Sequence, residues 1–158
     1  MFLFLHVLGA VSALGPTLTY GLWVRRGELD GPGPRAFALR TISWIDRRLA
    51  TPSYVLQAVT GTVLILLAGR DLLRTAWLLL AIGIYALMVV FAVGLYAPTF
   101  RSQREIAERL TERGADPDLE AKYLAAGKRA ATYGSVAVVL TILVLFLMVV
   151  KPALWSSG

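Results

Sequence analysis

Four long apolar segments constrain the fold of this chain more than any other feature. They span residues 1–24, 52–68, 76–97 and 132–150, and none contains Asp, Glu, Lys or Arg. Each reaches or approaches the ~17 to 25 residues that a helix needs to cross the ~30 Å hydrocarbon core of a bilayer. The sequence therefore predicts an all-α fold, an antiparallel bundle of four transmembrane helices that forms a single integral membrane domain over residues 1–158.

The basic residues predict the orientation of these spans. Thirteen of the sixteen Lys and Arg residues lie in the connecting segments 25–51 and 98–131, and the others are Arg70, Arg74 and Lys151. Because basic loops stay in the cytoplasm, we expect both segments there and both termini outside. An Ala-, Arg- and Gly-rich composition is typical of a GC-rich bacterial genome, so the expected location is a bacterial plasma membrane.

The positive charge of the two basic segments also indicates what the cytoplasmic side of the protein contacts. The basic residues flank apolar spans and alternate with Asp and Glu, which favours anionic lipid headgroups over nucleic acid. The first apolar segment has no charged start and no small-residue cleavage site, so we expect it to be a retained helix rather than a signal peptide.

The first basic segment predicts a short amphipathic helix. Residues 27–34 are rich in Gly and Pro and indicate a turn. The apolar residues that follow at helical spacing are Ala38, Ile42, Ile45 and Leu49. This helix either lies in the cytoplasmic headgroup layer, anchored by Phe37 and Trp44, or packs under the bundle. Thr51 and Pro52 then predict an N-cap and a first-turn proline for the second span.

The second basic segment predicts a helical extension of the bundle into the cytoplasm. Residues 101–113 have high helix propensity, Gly114 ends that helix, and Asp116-Pro117 starts another that continues into the fourth span. The extension at 100–130 is either a solvated pair of helices or a docking surface for a cytoplasmic protein partner.

Small and polar residues recur at helical spacing within each span and predict its inward face. They are His6, Ala10, Ala13, Thr17 and Tyr20 in the first span, Tyr54, Gln57 and Gly61 in the second, Ala81, Tyr85, Met88, Ala92 and Tyr96 in the third, and Gly134, Ala137 and Thr141 in the fourth. Small residues let helices approach closely, and Gln, Thr and Tyr form hydrogen bonds between helices.

Four of the polar residues are candidates for a ligand site in the outer half of the bundle. His6, the only histidine, is grouped with Tyr54, Gln57 and Thr60 as a polar pocket or subunit contact. His6 could instead be purely structural, or could ligate a b-type haem. Six-coordinate haem would need Met88, Met148 or the His6 of a second subunit as the other ligand.

Catalysis and metal binding find little support in the sequence. There is no cysteine, which excludes disulfides, thiol catalysis and cysteine-ligated metals. No His, Glu and Asp cluster has zinc or di-metal spacing, so we predict no catalytic residues, no metal site and, apart from haem, no cofactor. A channel or transporter subunit lined by Tyr54, Gln57 and Thr60 would need several chains around one pore.

Two stretches carry a family resemblance. Residues 5–10, Leu-His-Val-Leu-Gly-Ala, and residues 52–61, Pro-Ser-Tyr-Val-Leu-Gln-Ala-Val-Thr-Gly, resemble a family of bacterial four-span integral membrane proteins, domain of unknown function 2269. The resemblance covers nearly the whole chain and implies architecture, since that family has no established activity.

A more distant similarity runs to the copper-resistance D-type membrane domain and to the four-helix haem-binding membrane protein linked to protoporphyrinogen oxidation. Of the residues that are typical of these two groups, only His6 is present in this chain. The resemblance therefore implies haem as the cofactor to test. Taken together, these features predict a non-enzymatic, homo-oligomeric integral membrane protein.

Overall fold

The computed structural model describes residues 1–69 and 75–152, and within these ranges the chain is helical apart from short connections. The helices are α1 (Phe2–Leu29), α2 (Pro32–Ile45), α3 (Thr51–Leu67), α4 (Ala76–Phe91), α5 (Ala97–Arg113) and α6 (Pro117–Val150). Two π-helical turns, Asp46–Ala50 and Ala92–Tyr96, join α2 to α3 and α4 to α5. Arg70 and Arg74, which entered the predicted orientation, lie outside the described residues.

Four helical rods are long and apolar enough to cross a membrane, which confirms the predicted architecture. They are Phe2–Leu29, Pro32–Leu67, Ala76–Arg113 and Pro117–Val150. We call the end that carries Met1 and Lys151 the terminal end, and the end formed by α2, α5 and the adjoining parts of α1 and α6 the charged head.

A proline follows each π turn at the same offset and explains both turns. Pro52 and Pro98 are each the second residue after a π turn. A proline ring cannot donate a hydrogen bond and pushes away the carbonyl four residues earlier. The helix therefore widens, and the Thr51 amide bonds to the Asp46 carbonyl.

Pro52 lies in the first turn of α3 as predicted, but the predicted N-cap at Thr51 was wrong. Ala50 and Thr51 both have right-handed helical dihedrals and the start of α3 has no side-chain cap. Pro52 distorts a continuous rod rather than opening a new helix.

The predicted turn at 27–34 is shorter than expected. α1 continues to Leu29, and Gly31, with φ of 105°, makes the reversal into α2. Gly27 is helical and buried, and a Cβ there would lie 3.0 Å from the Ala38 Cβ and 3.0 Å from the Pro34 carbonyl oxygen. Gly27 therefore serves the close packing of α2 on α1.

The hairpin between α5 and α6 is confirmed. Gly114 ends α5 with φ of 83°. The Asp116 carboxylate accepts hydrogen bonds from the amides of Asp118, at 3.0 Å, and Leu119, at 3.2 Å. This N-cap starts α6, which then runs unbroken to Val150.

The densest core lies in the charged head. It consists of Ala36, Leu39, Ala107, Leu110 and Tyr123. Because one face of α2 is buried here, this helix packs under the bundle, the second of the two predicted arrangements. Its aromatic residues Phe37 and Trp44 nevertheless stay exposed.

The membrane part consists of two helix pairs. α1 packs along α3, and α4 packs along α6. Among the described residues, the Cα atoms of α3 stay more than 8 Å from those of α4, and the Tyr85 hydroxyl links the two pairs by donating to the Tyr54 carbonyl. The membrane helices thus expose most of their apolar surface, as a lipid-facing bundle should.

Candidate functional site

His6 lies in the contact between α1 and α3, in the terminal half of the membrane part. Its Nδ1 is 3.1 Å from the Thr60 hydroxyl oxygen, and that hydroxyl donates to the Leu56 carbonyl at 2.7 Å. A hydroxyl has one hydrogen to donate. In the tautomer that satisfies both bonds at once, the Thr60 hydroxyl donates to Leu56, the Nδ1–H of His6 donates to Thr60, and Nε2 keeps the lone pair.

Two glycines bring α1 and α3 together around this pair. A Cβ on Gly61 would lie 3.1 Å from His6 Cε1, and a Cβ on Gly9 would lie 3.1 Å from Gln57 Cγ and 3.2 Å from the Ser53 carbonyl oxygen. Any larger residue would push the helices apart. The predicted inward faces of the first two spans are therefore confirmed.

The four sequence-predicted site residues are only partly brought together. His6, Gln57 and Thr60 share the α1–α3 contact, whereas Tyr54 lies about one turn nearer the charged head than Gln57. Its carbonyl accepts a hydrogen bond of 2.6 Å from the Tyr85 hydroxyl, which bridges the gap between α3 and α4. Gln57 and Thr60 lie at the contact with α1, and their role in ligand binding, or in lining a channel built from several chains, stays a prediction.

The second helix pair is joined by contacts of the predicted kind. The Thr141 hydroxyl lies 3.2 Å from the Met88 sulfur, and the rings of Phe91 and Tyr133 meet edge to face with centroids 5.5 Å apart. Met88 is buried in this contact, so its sulfur faces α6 rather than His6.

A layer of tyrosines beside Asp46 was missed by the sequence reasoning. Tyr20 is buried, and its hydroxyl has no hydrogen-bond partner within 1–69 and 75–152. The helix that carries Tyr20, α1, packs against the π turn that carries Asp46. In the sequence, only Asp46 could have indicated this layer. An acidic residue next to two arginines, however, is typical of an exposed loop.

Asp46 lies in the first π turn, just outside the second apolar segment. Its carboxylate is 3.4 Å from the Thr51 hydroxyl, and burial raises the pKa of this carboxyl above its usual range. A half-buried acid thus faces the membrane part at the level of both π turns.

A hydrogen-bonded network fixes the charged head around Tyr123, whose side chain is 1% exposed. Arg35 Nη1 donates to both carboxylate oxygens of Glu120 at 2.9 Å, and the Arg35 guanidinium lies over the Tyr123 ring, 4.4 Å from its centroid. The Tyr123 hydroxyl donates to Glu28 at 3.1 Å and accepts from Gln103 at 3.3 Å. Burial, followed by the nearby Glu28 charge, raises the pKa of Tyr123 to about 12.

These polar side chains are engaged mainly in joining helices. The His6, Tyr85 and Tyr123 bonds each connect two different elements. Among the described residues, no group of three His, Asp or Glu side chains is placed to hold a metal ion. These bonds stabilise the fold. A group that keeps a free lone pair, such as His6 Nε2, is also suited to binding a ligand.

Four apolar helical rods define a multi-pass integral membrane protein. Residues 1–152 match the family described as predicted integral membrane protein DUF2269. The chain therefore belongs to this family, whose function is unknown.

No curated protein and no solved structure matches the chain. The predicted similarities to the copper-resistance D-type domain and to the haem-binding four-helix protein find no support in these comparisons. The family match gives the architecture, and function has to be argued from the geometry.

Proposed function

We propose that this chain is a non-enzymatic membrane protein that acts as a homo-oligomer, with its subunit contact in the terminal half of the membrane part. A groove on the outer face of α4 carries the proposal. It has a volume of ≈ 320 Å³ and is lined by Leu79, Leu80, Gly83, Ile84 and Leu87.

The shape of the groove supports a helix as its occupant. Gly83 forms its floor, and a Cβ there would meet nothing within 4 Å. Lipid tails are as apolar as leucine, so helices associate in membranes where small residues allow close backbone approach rather than where the surface is most apolar. A second copy of α4 can offer the same groove and the same leucine ridges, as a two-fold contact requires.

Filling the groove tests this proposal. We expect Gly83→Leu to convert the oligomer to monomer, measured as protein mass by light scattering in detergent, with an unchanged melting temperature. Gly21→Leu is the matched control, because Gly21 is also exposed with no atom within 4 Å of a Cβ. A monomeric wild type, or a Gly83→Leu protein of wild-type mass, would reject the proposal.

A second candidate function is b-type haem binding through His6, and the tautomer of His6 favours it. Haem-ligating histidines bind iron through one nitrogen while the other donates a hydrogen bond. His6 donates from Nδ1 to Thr60 and keeps the Nε2 lone pair. Protein expressed with ample haem should then show a Soret band that His6→Leu removes, and colourless wild-type protein would exclude this function.

The proposal places the charged head in the cytoplasm of a bacterium, with both termini outside. The excess of basic residues in segments 25–51 and 98–131 supports this orientation. A cytoplasmic protein partner at 100–130 remains part of the proposal, and only the outer faces of α5 and α6 are open to it, because Ala107, Leu110 and Tyr123 are buried in the head.

A further inference from the structure

A hollow on the surface of the charged head lies between α2 and α5. Its volume is ≈ 710 Å³, within the ~300 to 1,000 Å³ of small-molecule sites. Its lining includes Phe37, Arg40, Trp44 and Arg47 on one side and Arg104 and Glu108 on the other.

The lining of the hollow has an excess of positive charge, with three arginines and one acid, although Asp46 outside the lining lies next to Arg47 in the chain. Glu108 is its only acid among the lining residues, and its carboxylate is 3.7 Å from Arg104 Nε, which is buried and has no hydrogen-bond partner in the described part of the chain. Arg40 forms no ion pair within the described ranges. Arg47 uses Nε for the Ser43 carbonyl at 3.2 Å and keeps its terminal nitrogens free. Three guanidinium groups therefore face one opening with donors to spare.

Guanidinium groups indicate the chemistry of the ligand. Their planar set of N–H donors matches the oxygens of a phosphate, often through two bonds at once. Three arginines around one space are suited to a phosphate group carrying negative charge.

The position of the hollow indicates where that phosphate comes from. Arg47 is among the first charged residues beyond the second apolar segment, and Arg40 is seven residues further along the helix, or about 10 Å. The headgroup region of one leaflet is roughly 5 to 8 Å thick, and long arginine side chains reach into it. Trp44, which lies between Arg40 and Arg47 along the chain, is 60% exposed, as aromatic residues are at a membrane interface.

We propose that this hollow binds the phosphate of an anionic glycerophospholipid. Arg40, Arg47 and Arg104 donate hydrogen bonds to the phosphate oxygens, and Trp44 packs against the glycerol and upper acyl chain. A soluble anion would need the arginines but not the exposed aromatic rings, so the lipid is the ligand that uses the whole site.

The test measures lipid retention by the full-length protein. Protein in nanodiscs that mix phosphatidylglycerol with phosphatidylcholine is released into the gas phase, and the lipids it retains are counted by native mass spectrometry. We expect phosphatidylglycerol to be enriched in the wild type. In the variant R40Q/R47Q/R104Q we expect at least about tenfold weaker retention, because several charge-assisted hydrogen bonds are lost.

A second triple variant controls for overall charge. R25Q/R109Q/R129Q removes the same charge from the same end at exposed positions outside the hollow, and we expect retention within about twofold of wild type. Equal loss in both variants would overturn the proposal, because it would show attraction by net charge alone. Equal retention of phosphatidylcholine, or displacement of the lipid by millimolar inorganic phosphate, would also overturn it.

Folding is monitored by the melting temperature in phosphatidylcholine nanodiscs. If R40Q/R47Q/R104Q melts at a lower temperature than the wild type, the single variant R40Q tests the site instead. The Arg40 side chain is exposed and forms no ion pair within the described ranges, so R40Q should fold normally. Its phosphatidylglycerol retention should fall about threefold or more, and unchanged retention would contradict the proposed site.

Discussion

At the scale of single residues, the bond between His6 and Thr60 gives a direct prediction. We expect His6→Leu and Thr60→Val each to lower the free energy of unfolding by about 0.5 to 1.5 kcal/mol, the range measured for hydrogen bonds between membrane helices. The double variant should lose less than the sum of the two, because both remove the same bond. Unfolding in bicelles provides the measurement, and strictly additive losses would show that the bond contributes nothing.

The matched substitution at this site is His6→Asn. An Asn amide nitrogen can take the place of Nδ1 and donate to Thr60, so this variant should be more stable than His6→Leu. Equal stabilities of the two variants would contradict a stabilising hydrogen bond between His6 and Thr60.

Tyr123 predicts a pH dependence of stability. Its pKa is raised to about 12 in the folded protein, against about 10 for an unfolded tyrosine. A group that holds its proton more tightly in the folded state stabilises the fold fully below the unfolded pKa. That contribution is then lost as the pH rises from about 10 to about 12.

The comparison variant is Tyr123→Phe, which lacks the titrating hydroxyl. It should be less stable at neutral pH, by about 1 to 3 kcal/mol, because Glu28 and Gln103 lose their partner. Its stability should also fall less than that of the wild type between about pH 10 and about pH 12. Parallel pH profiles, measured by chemical unfolding, would contradict the role assigned to this hydroxyl.

At the scale of elements, the close approach of α1 and α3 predicts the effect of a bulky residue at Gly61. A Cβ there would already lie 3.1 Å from His6, so Gly61→Leu should separate the helices and cost about 1 to 3 kcal/mol or more. Leu66→Ala is the control, since Leu66 is on the same helix and 74% exposed. Melting temperatures should fall for the first variant only, and similar values for both would place Gly61 on the lipid-facing side.

The helices show what the sequence could and could not predict. Helical spacing identified the inward face of the first span, where the predicted residues Ala13 and Tyr20 are buried. It could not identify the π turns, since Pro52 is compatible both with a helix start and with a widened turn inside a helix.

The candidate site was also predictable only in part. His6 and Thr60 stand out as polar residues within apolar segments, and the structure joins them. Asp46 and Tyr123 lie in polar surroundings in the sequence, where nothing marks a single residue as buried. Their burial comes from contacts with residues far away in the chain, such as Glu28 with Tyr123.

At the scale of the whole molecule, the orientation predicts a labelling pattern. The chain has no cysteine, so a single cysteine can be introduced at Ser102, in the charged head, or at Ser157, near the C-terminus. A membrane-impermeant thiol reagent should label the Ser157→Cys protein in intact cells and leave the Ser102→Cys protein unlabelled until the cells are opened. Outside labelling of Ser102→Cys would reverse the proposed orientation.

The continuity of the helices through both π turns has a mechanical consequence. The rods Pro32–Leu67 and Ala76–Arg113 contain 36 and 38 residues, so each is about 54 to 57 Å long, far more than the thickness of the hydrocarbon core. Each rod therefore tilts as one stiff body about a point in the bilayer. A tilt of about 5° would move the end in the charged head by about 4 Å. Because membrane helices tilt to match bilayer thickness, we expect a thinner or thicker bilayer to shift the charged head and change the spacing between α2 and α5.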